Sequence, residues 1–396
     1  MQEHLLSEIY ELLANSSDLT LRQLVENKKA ENGVTSDLQL SRIVGIDKTT
    51  LDRILKGDTQ KLDLLALIKL DEFLGIGINR LTQIYIASLK SEYIGEIENA
   101  RRANYIIRNF DVNGLKKIGW IQSTDDYKAI EEKIVSFFKL DNLYEYDREI
   151  GAVMFSRSKA LSHDKMREFW VRSAIYQFEK INNPNNYDPG ELKALIPRIR
   201  AYTNNVEKGF LTVVQALYAA GVTVIVQSYL SKTQVMGGTF IINRKPCIVI
   251  TDYNKTYASI WIALLHELHH VVYDFDTIAS TSYHLSGENN LLLEEDADFS
   301  AREILFSQEK MNYIKFMINS NVYVTEFAKK NNVHPSIIYL YYCIDQKKDG
   351  KNVFGLYRDF NPSSEKALLS IKTNPFNKET IDQEIEHIKQ LLTNYM

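Results

Sequence analysis

Two cysteines, Cys247 and Cys343, are all the chain offers for cross-linking among its 396 residues. They lie in unrelated sequence contexts, so no disulfide framework is implied and a reducing cytoplasm suits the protein. No apolar run approaches the roughly 18 residues of a membrane span, and no membrane association is expected. Charge of one sign is also scarce in excess: the formal net charge is −4, too small for a global field that gathers nucleic acid or lipid. Residues Met1 to Asn15 are amphipathic and acidic and lack the basic start and apolar centre of a signal peptide, so a cytoplasmic location is expected. Neither an internal repeat nor a low-complexity tract interrupts the chain. What is present is ordinary for a soluble globular protein, 45% hydrophobic and 25% charged residues, with length for two or three domains.

The pattern divides into four segments: a helix-turn-helix domain over 1–78, a helical middle region over 79–190, a domain mixing strands and helices over 191–345, and a helical extension over 346–396. The strongest signal near the start runs from Ser36 to Leu55. Ser36 and Gln39 have capping-box spacing, and Leu38, Leu40, Ile43 and Val44 suggest one apolar face. Gly45 breaks that helix, and Asp47 can cap a second one carrying Leu51, Ile54 and Leu55. The polar side of the second helix offers Lys48, Thr49, Thr50 and Arg53, side chains of suitable reach for phosphates and base edges. Against DNA stands the charge: residues 1–75 hold nine Lys and Arg but thirteen Asp and Glu, which favours phosphate contacts poorly. A small helical protein-interaction module is therefore the rival reading. In the middle region, Phe137, Phe138, Phe169, Trp170, Tyr176 and Phe178 recur at helical spacing, and core packing explains them better than a ligand site. Asn182 to Gly190 reads as a loop.

After residue 191 the rhythm changes. Leu211 to Ala220 is an apolar helix stopped by Gly221, Val222 to Val226 a β-branched strand, and Thr239 to Ile242 and Cys247 to Thr251 two more strands around Asn243-Arg244-Lys245-Pro246. Helices are predicted at Ser259–Asp274, Leu291–Phe306, Thr325–Lys330, Pro335–Ile344 and Thr380–Leu392, the last opening on a Thr380–Gln383 capping box. The predicted class is α+β and mostly helical, with an all-α N-terminal domain and a small sheet packed on the Ser259–Asp274 helix. An edge strand among Thr239–Ile242 or Cys247–Thr251 is expected to accept an extended peptide.

The chemistry concentrates in that helix. His266 and His270 are four residues apart, on one face and one turn from each other. Two neutral imidazoles so placed can hold one zinc ion, which takes four tetrahedral ligands. Glu267, beside the first histidine, is placed to act as general base toward water. This is the H-E-x-x-H arrangement. A helix with surface histidines is the alternative, but Trp261, Ile262, Leu264, Leu265, Val271 and Val272 surround the motif, and buried ionisable groups need partners. Glu294, 24 residues past His270, is the expected third ligand, on a second helix reached through an intervening loop, with Glu295 in reserve. Asp298, one turn beyond, can accept the other ring N–H of a ligand histidine. The opposing reading is that these acids simply favour a helix N-terminus. His269 offers poorer geometry, His284 is a remote alternative ligand, and His334, before Pro335, is either an oxyanion stabiliser or a helix-start residue with no catalytic task.

These residues resemble the ImmA/IrrE family of metallopeptidases. The resemblance lies in Ile262-Ala263-Leu264-Leu265-His266-Glu267-Leu268-His269-His270, then Glu294-x-x-Ala297-Asp298-Phe299-x-Ala301. It extends to Ala220-Gly221-Val222, Gly237-Gly238-Thr239-Phe240, Lys245-Pro246-Cys247-Ile248-Val249-Ile250, and Ala328-x-x-x-x-Val333-His334-Pro335-Ser336, covering about 190–345. Members with an N-terminal XRE-type helix-turn-helix exist, and this chain looks like that subgroup. The resemblance implies a gluzincin-like Zn2+ site with His266, His270 and Glu294 as ligands, Glu267 as base and Asp298 behind a ligand. It implies a protein substrate, a DNA-binding repressor or other regulator, in stress response, mobile-element control or a toxin–antitoxin setting. One departure stands out: His269 occupies the position before the second His where the family usually has Gly. A zinc endopeptidase is thus expected, with a protein substrate, DNA contact through the helix-turn-helix, a toxin or antitoxin partner and a homodimer as further expectations. The competing expectation is a DNA-binding regulator or antitoxin, or a toxin partner, whose metal site is structural or sensory.

Overall fold

A computed structural model of the chain describes residues 20–58, 63–89, 91–146, 165–230, 233, 235–281, 283–285, 291–376 and 381–393. The protein is mostly helical with one small mixed sheet, an α+β chain. It divides into two compact units at Asn104/Tyr105. The Met1–Asn15 stretch read from the sequence lies outside the described residues.

The first unit contains α1 (Leu21–Glu31), α2 (Asp37–Val44), α3 (Lys48–Leu55), α4 (Leu64–Leu74) and α5 (Ile78–Ser88), and α6 (Ser91–Asn109) carries the boundary. The Ser36 hydroxyl accepts from the Gln39 amide at 3.2 Å, but the Gln39 side chain turns to the Thr35 amide instead of closing a reciprocal box. Gly45 ends α2 in the left-handed region at φ +61°, and Asp47 caps α3 by accepting from the Thr50 amide at 2.9 Å. Leu40, Val44, Leu51, Ile54 and Leu55 join Leu21, Val25, Leu67 and Leu70 in the core. Leu38 and Ile43 do not: they are 49% and 55% exposed, which corrects the four-residue face. Two residues from Leu40 is the opposite side of a helix, and Ile43 stands about 100° round from Val44. Lys29 is buried and tied to Glu26 at 3.0 Å and Asp37 at 2.7 Å, holding α1 to α2.

In the second unit, α7 (Val112–Lys117), α8 (Tyr127–Phe138), α9 (Lys165–Ile181), α10 (Pro189–Tyr202) and α11 (Gly209–Ala219) precede the sheet. The aromatic residues of the middle region pack edge to face as core: Phe137 on Phe138 and Trp120, and Phe169 on Trp120 and Phe110. Helix α11 ends at Gly221 (φ +81°), where a Cβ would fall 2.3 Å from the Asn186 carbonyl oxygen, so the close approach requires glycine. The sheet follows: β1 (Thr223–Gln227), β2 (Gly237–Ile242), β3 (Lys245–Thr251), β4 (Tyr283–Leu285) and β5 (Lys372–Thr373), in the order β4-β2-β3-β1-β5. Strands β3, β1 and β5 are parallel, β2 is antiparallel to β3, and β4 is antiparallel to β2. Asn243 and Arg244, both at positive φ, make the two-residue turn between β2 and β3.

The edge expectation is corrected here. Strand β3 is central, and β2 carries β4 along Gly238–Phe240. The stretch expected to be a returning loop after His270 instead contains α13 (Phe275–Thr281) and β4. Helix α12 (Tyr257–Tyr273) packs on β2 and β3, and α14 (Leu291–Phe306) packs along α12. The chain continues through α15 (Gln308–Ile314), α16 (Asn321–Lys330), α17 (Pro335–Lys348), α18 (Glu365–Leu368) and α19 (Asp382–Thr393). Thr380 of the predicted Thr380–Gln383 box lies outside the described residues. The C-terminal segment answers the first free amides of α12: the Pro362 carbonyl accepts from Tyr257 at 2.8 Å and the Asn361 side chain from Ala258 at 3.2 Å.

Candidate metal centre

Helix α12 is covered nearly all round. Tyr257, Ala258, Ile260, Trp261, Leu264, Leu265, Leu268 and Val271 are buried, and so are His266, Glu267 and His270. A helix of this kind keeps ionisable groups only where each finds a partner. The two histidines find theirs on both ring nitrogens. His266 Nδ1 lies 2.9 Å from an Asp298 carboxylate oxygen on α14, and His270 Nδ1 lies 2.8 Å from Asp274, one turn on at the end of α12. With the carboxylates accepting, both Nδ1 atoms carry a proton, and the two Nε2 atoms, the ones turned toward Glu294, stand 3.2 Å apart.

Glu294 completes the group. Its carboxylate oxygens stand 3.5 Å from His266 Nε2 and 3.7 Å from His270 Nε2. Two ligands on one tetrahedral zinc with bonds of about 2.0–2.1 Å stand roughly 3.3 Å apart. The 3.2 Å between the two Nε2 atoms is close to this separation, and the Glu294 carboxylate straddles the pair, with Oε2 3.5 Å from His266 Nε2 and Oε1 3.7 Å from His270 Nε2. Among the described residues, His266, His270 and Glu294 form the group able to share an ion. The donor set, two imidazoles and one carboxylate, fits zinc. The surroundings favour positive charge. Burial alone pushes the His266 imidazole down, but hydrogen bonds to Asp298 and Glu294, with the nearby Glu267 charge, raise it to about 10.

Glu267 is wholly buried, and its Oε2 accepts from the Thr239 hydroxyl of β2 at 2.7 Å. Its other oxygen lies against Gly237, where a Cβ would come within 2.7 Å. Strand β2 thus supports the Glu267 carboxylate from below, and a side chain at 237 would displace it.

The structure brings His266, Glu267, His270, Glu294 and Asp298 together. Asp298 is itself solvent-facing, with its side chain 70% exposed. Glu295 and Asp296 point to solvent. His269 stays out of the group. Its ring packs on Tyr273 at 4.6 Å, and burial first, then the neighbouring His270, holds it below its ordinary value. The His284 side chain lies outside the described residues. His334 is elsewhere: its Nδ1 accepts from the Ser336 amide as the cap of α17, and its ring meets Tyr257 at 5.2 Å. Tyr257 precedes His266 by nine residues, about 13 Å of helix. Its helix-start role is thus accounted for, and the oxyanion role is not supported. Two contributors escaped the sequence reading. Asp274 was signalled by its four-residue spacing from His270; Thr239 had no local signal, since a strand residue reaches Glu267 only through the packing of β2 on α12.

In the first unit, Lys48, Thr49, Thr50 and Arg53 are all exposed on α3. Arg53 also donates to the Asp58 carbonyl at 3.2 Å, and the neighbouring Lys56 is paired with Asp52 at 2.6 Å.

No family model, curated protein or solved structure matches the chain. The likeness to ImmA/IrrE metallopeptidases thus stands on the quoted motifs.

Proposed function

We propose that the protein is a zinc-dependent endopeptidase acting on a regulatory protein, with a DNA-binding repressor as the favoured substrate class. The observation that carries the reading is the meeting of His266 Nε2, His270 Nε2 and Glu294 within one ligand sphere, with a second carboxylate, that of Glu267, outside this group but next to His266 in the chain. His266, His270 and Glu294 would hold the metal, and Asp298 and Asp274 would keep both imidazoles in the ligating tautomer. Zinc, when bound, polarises a carbonyl and makes water a stronger acid. Glu267 is the base on this reading: it takes a proton from the attacking water and passes it to the leaving amine as the C–N bond breaks. The Thr239 hydroxyl donates to Oε2 and so helps to position the carboxylate.

The test is Glu267→Gln in the full chain. Loss of substrate processing in cells by at least about a hundredfold, with stoichiometric zinc retained, is the expected result. Unimpaired processing with zinc retained removes the peptidase reading.

A second reading, a DNA-binding regulator or antitoxin with a structural metal, draws support from the exposed set on α3. On either reading the first unit serves to locate DNA, a repressor, a toxin or antitoxin partner, or a second copy of the chain. Gel shifts of wild type against Lys48→Glu and Arg53→Glu separate DNA from the protein partners. Retention by wild type that both reversals abolish supports DNA, and no retention at low salt excludes it.

A further inference from the structure

We infer that β4 is an internal occupant of the edge at which a polypeptide would join this site, so that an extended substrate strand must displace it. The inference rests on the peptidase reading and assigns that site its regulation.

The hydrogen-bond phase of β2 fixes which residues face outward. The two-residue turn at Asn243–Arg244 makes Ile242 and Lys245 a hydrogen-bonded pair, so Ile242, Phe240 and Gly238 direct their backbone groups to β3. Thr251 donating to the Met236 carbonyl at 3.0 Å continues the same phase. Thr239 is therefore turned the other way. Its amide and carbonyl face His284, its register partner in β4, with Gly238 opposite Leu285 and Phe240 opposite Tyr283.

Thr239 is also the residue whose hydroxyl holds Glu267 at 2.7 Å, and Gly237, two residues back, lies against the other Glu267 oxygen. The backbone groups that β4 occupies thus belong to the stretch of β2 that touches the base. A peptide adding to this edge as a strand would place its own backbone where β4 lies. Strand β4 is three residues long, at the short end for strands, and a longer incoming strand replaces its ladder with a more extensive one. It lies in the segment joining His270 to Glu294, so its release is connected in sequence to the third ligand.

The experiment compares His284→Pro, which removes the amide that Thr239 faces, with His284→Ala, which keeps it. Both are made in full-length, zinc-loaded protein carrying Glu267→Gln, and the probe is fluorescein-labelled casein, an unstructured polypeptide. Binding by anisotropy is expected to tighten at least tenfold in the proline variant relative to the alanine variant. Exchange of the Thr239 amide hydrogen should quicken with proline and slow again when casein is added. If exchange quickens while casein binding is unchanged, β4 merely completes the sheet and the inference is overturned; equal binding by both variants and wild type overturns it as well. Should the proline chain fail to fold by circular dichroism, Tyr283→Gly with Leu285→Gly weakens the same ladder and is judged by the same two readouts. Restoring Glu267 separates the two layers. Tighter binding without hydrolysis keeps the β4 assignment and sinks the peptidase, whereas hydrolysis at one rate with or without proline does the reverse.

Discussion

The two units handle polarity in opposite ways. The second takes charge into its interior: His266, Glu267, His270, Arg172 and Arg302 are all buried, each against a partner, with Arg302 paired to Asp345 at 2.6 and 2.7 Å. The first buries a single Lys, Lys29, among its described residues, yet leaves Leu38, Ile43, Leu64, Leu65 and Ile68 exposed. Burying charge is expensive unless a partner or ion compensates, and exposing apolar side chains weakens solubility unless something covers them. The second unit therefore keeps paired ionisable groups inside, and the first presents apolar side chains on its surface.

This contrast can be broken most severely at the proposed ligands. His270→Ala should lower zinc affinity by roughly a thousandfold or more, read by equilibrium dialysis with metal analysis, and leave the first unit's helices unchanged. Stoichiometric zinc in that variant would remove the proposed centre. Next come the cores. Trp261→Ala should cost about 3–5 kcal/mol and Leu40→Ala about 2–5 kcal/mol. In denaturant each should shift one transition and spare the other; a shared shift would mean that the units unfold together. A smaller effect is expected from Asp274→Ala, which leaves all three ligands but frees the His270 ring. Zinc affinity should drop about 10–100-fold, and an unchanged value would make Asp274 a helix cap alone. Smallest is Ile43→Ser, expected within about 0.5 kcal/mol of wild-type stability because the side chain is already in water. Its effect should appear in association, by sedimentation, and a large destabilisation would return Ile43 to the core.

Much of this was legible from local pattern. Helix α14 begins and ends at the residues its apolar stripe marks, and α12 extends two residues beyond the predicted start. The His266–His270 spacing and the reach of Asp298 follow from helix geometry. What was not legible depends on contacts distant in sequence. Leu38 reads as apolar whichever side of α2 it takes, and only the packing of α1 and α4 decides. The Tyr283–Leu285 stretch sits among Ser, Thr, Gly and Asn and resembles a loop; it becomes a strand because β2 offers an unsatisfied edge. His334 reads from sequence as either an oxyanion stabiliser or a helix-start residue, and the fold sets it beside Tyr257, at the far end of α12 from His266.

Two of the three proposed ligands come from α12 and the third from α14. An ion shared among them is therefore a rivet between helices. A ligand present at a thousand times its dissociation constant adds about 4 kcal/mol to the fold that binds it. The second unit would draw that increment from free zinc and the first would not. Zinc supply would then set how firmly the larger unit holds together while the smaller stays indifferent, and a chelator would loosen the second unit alone.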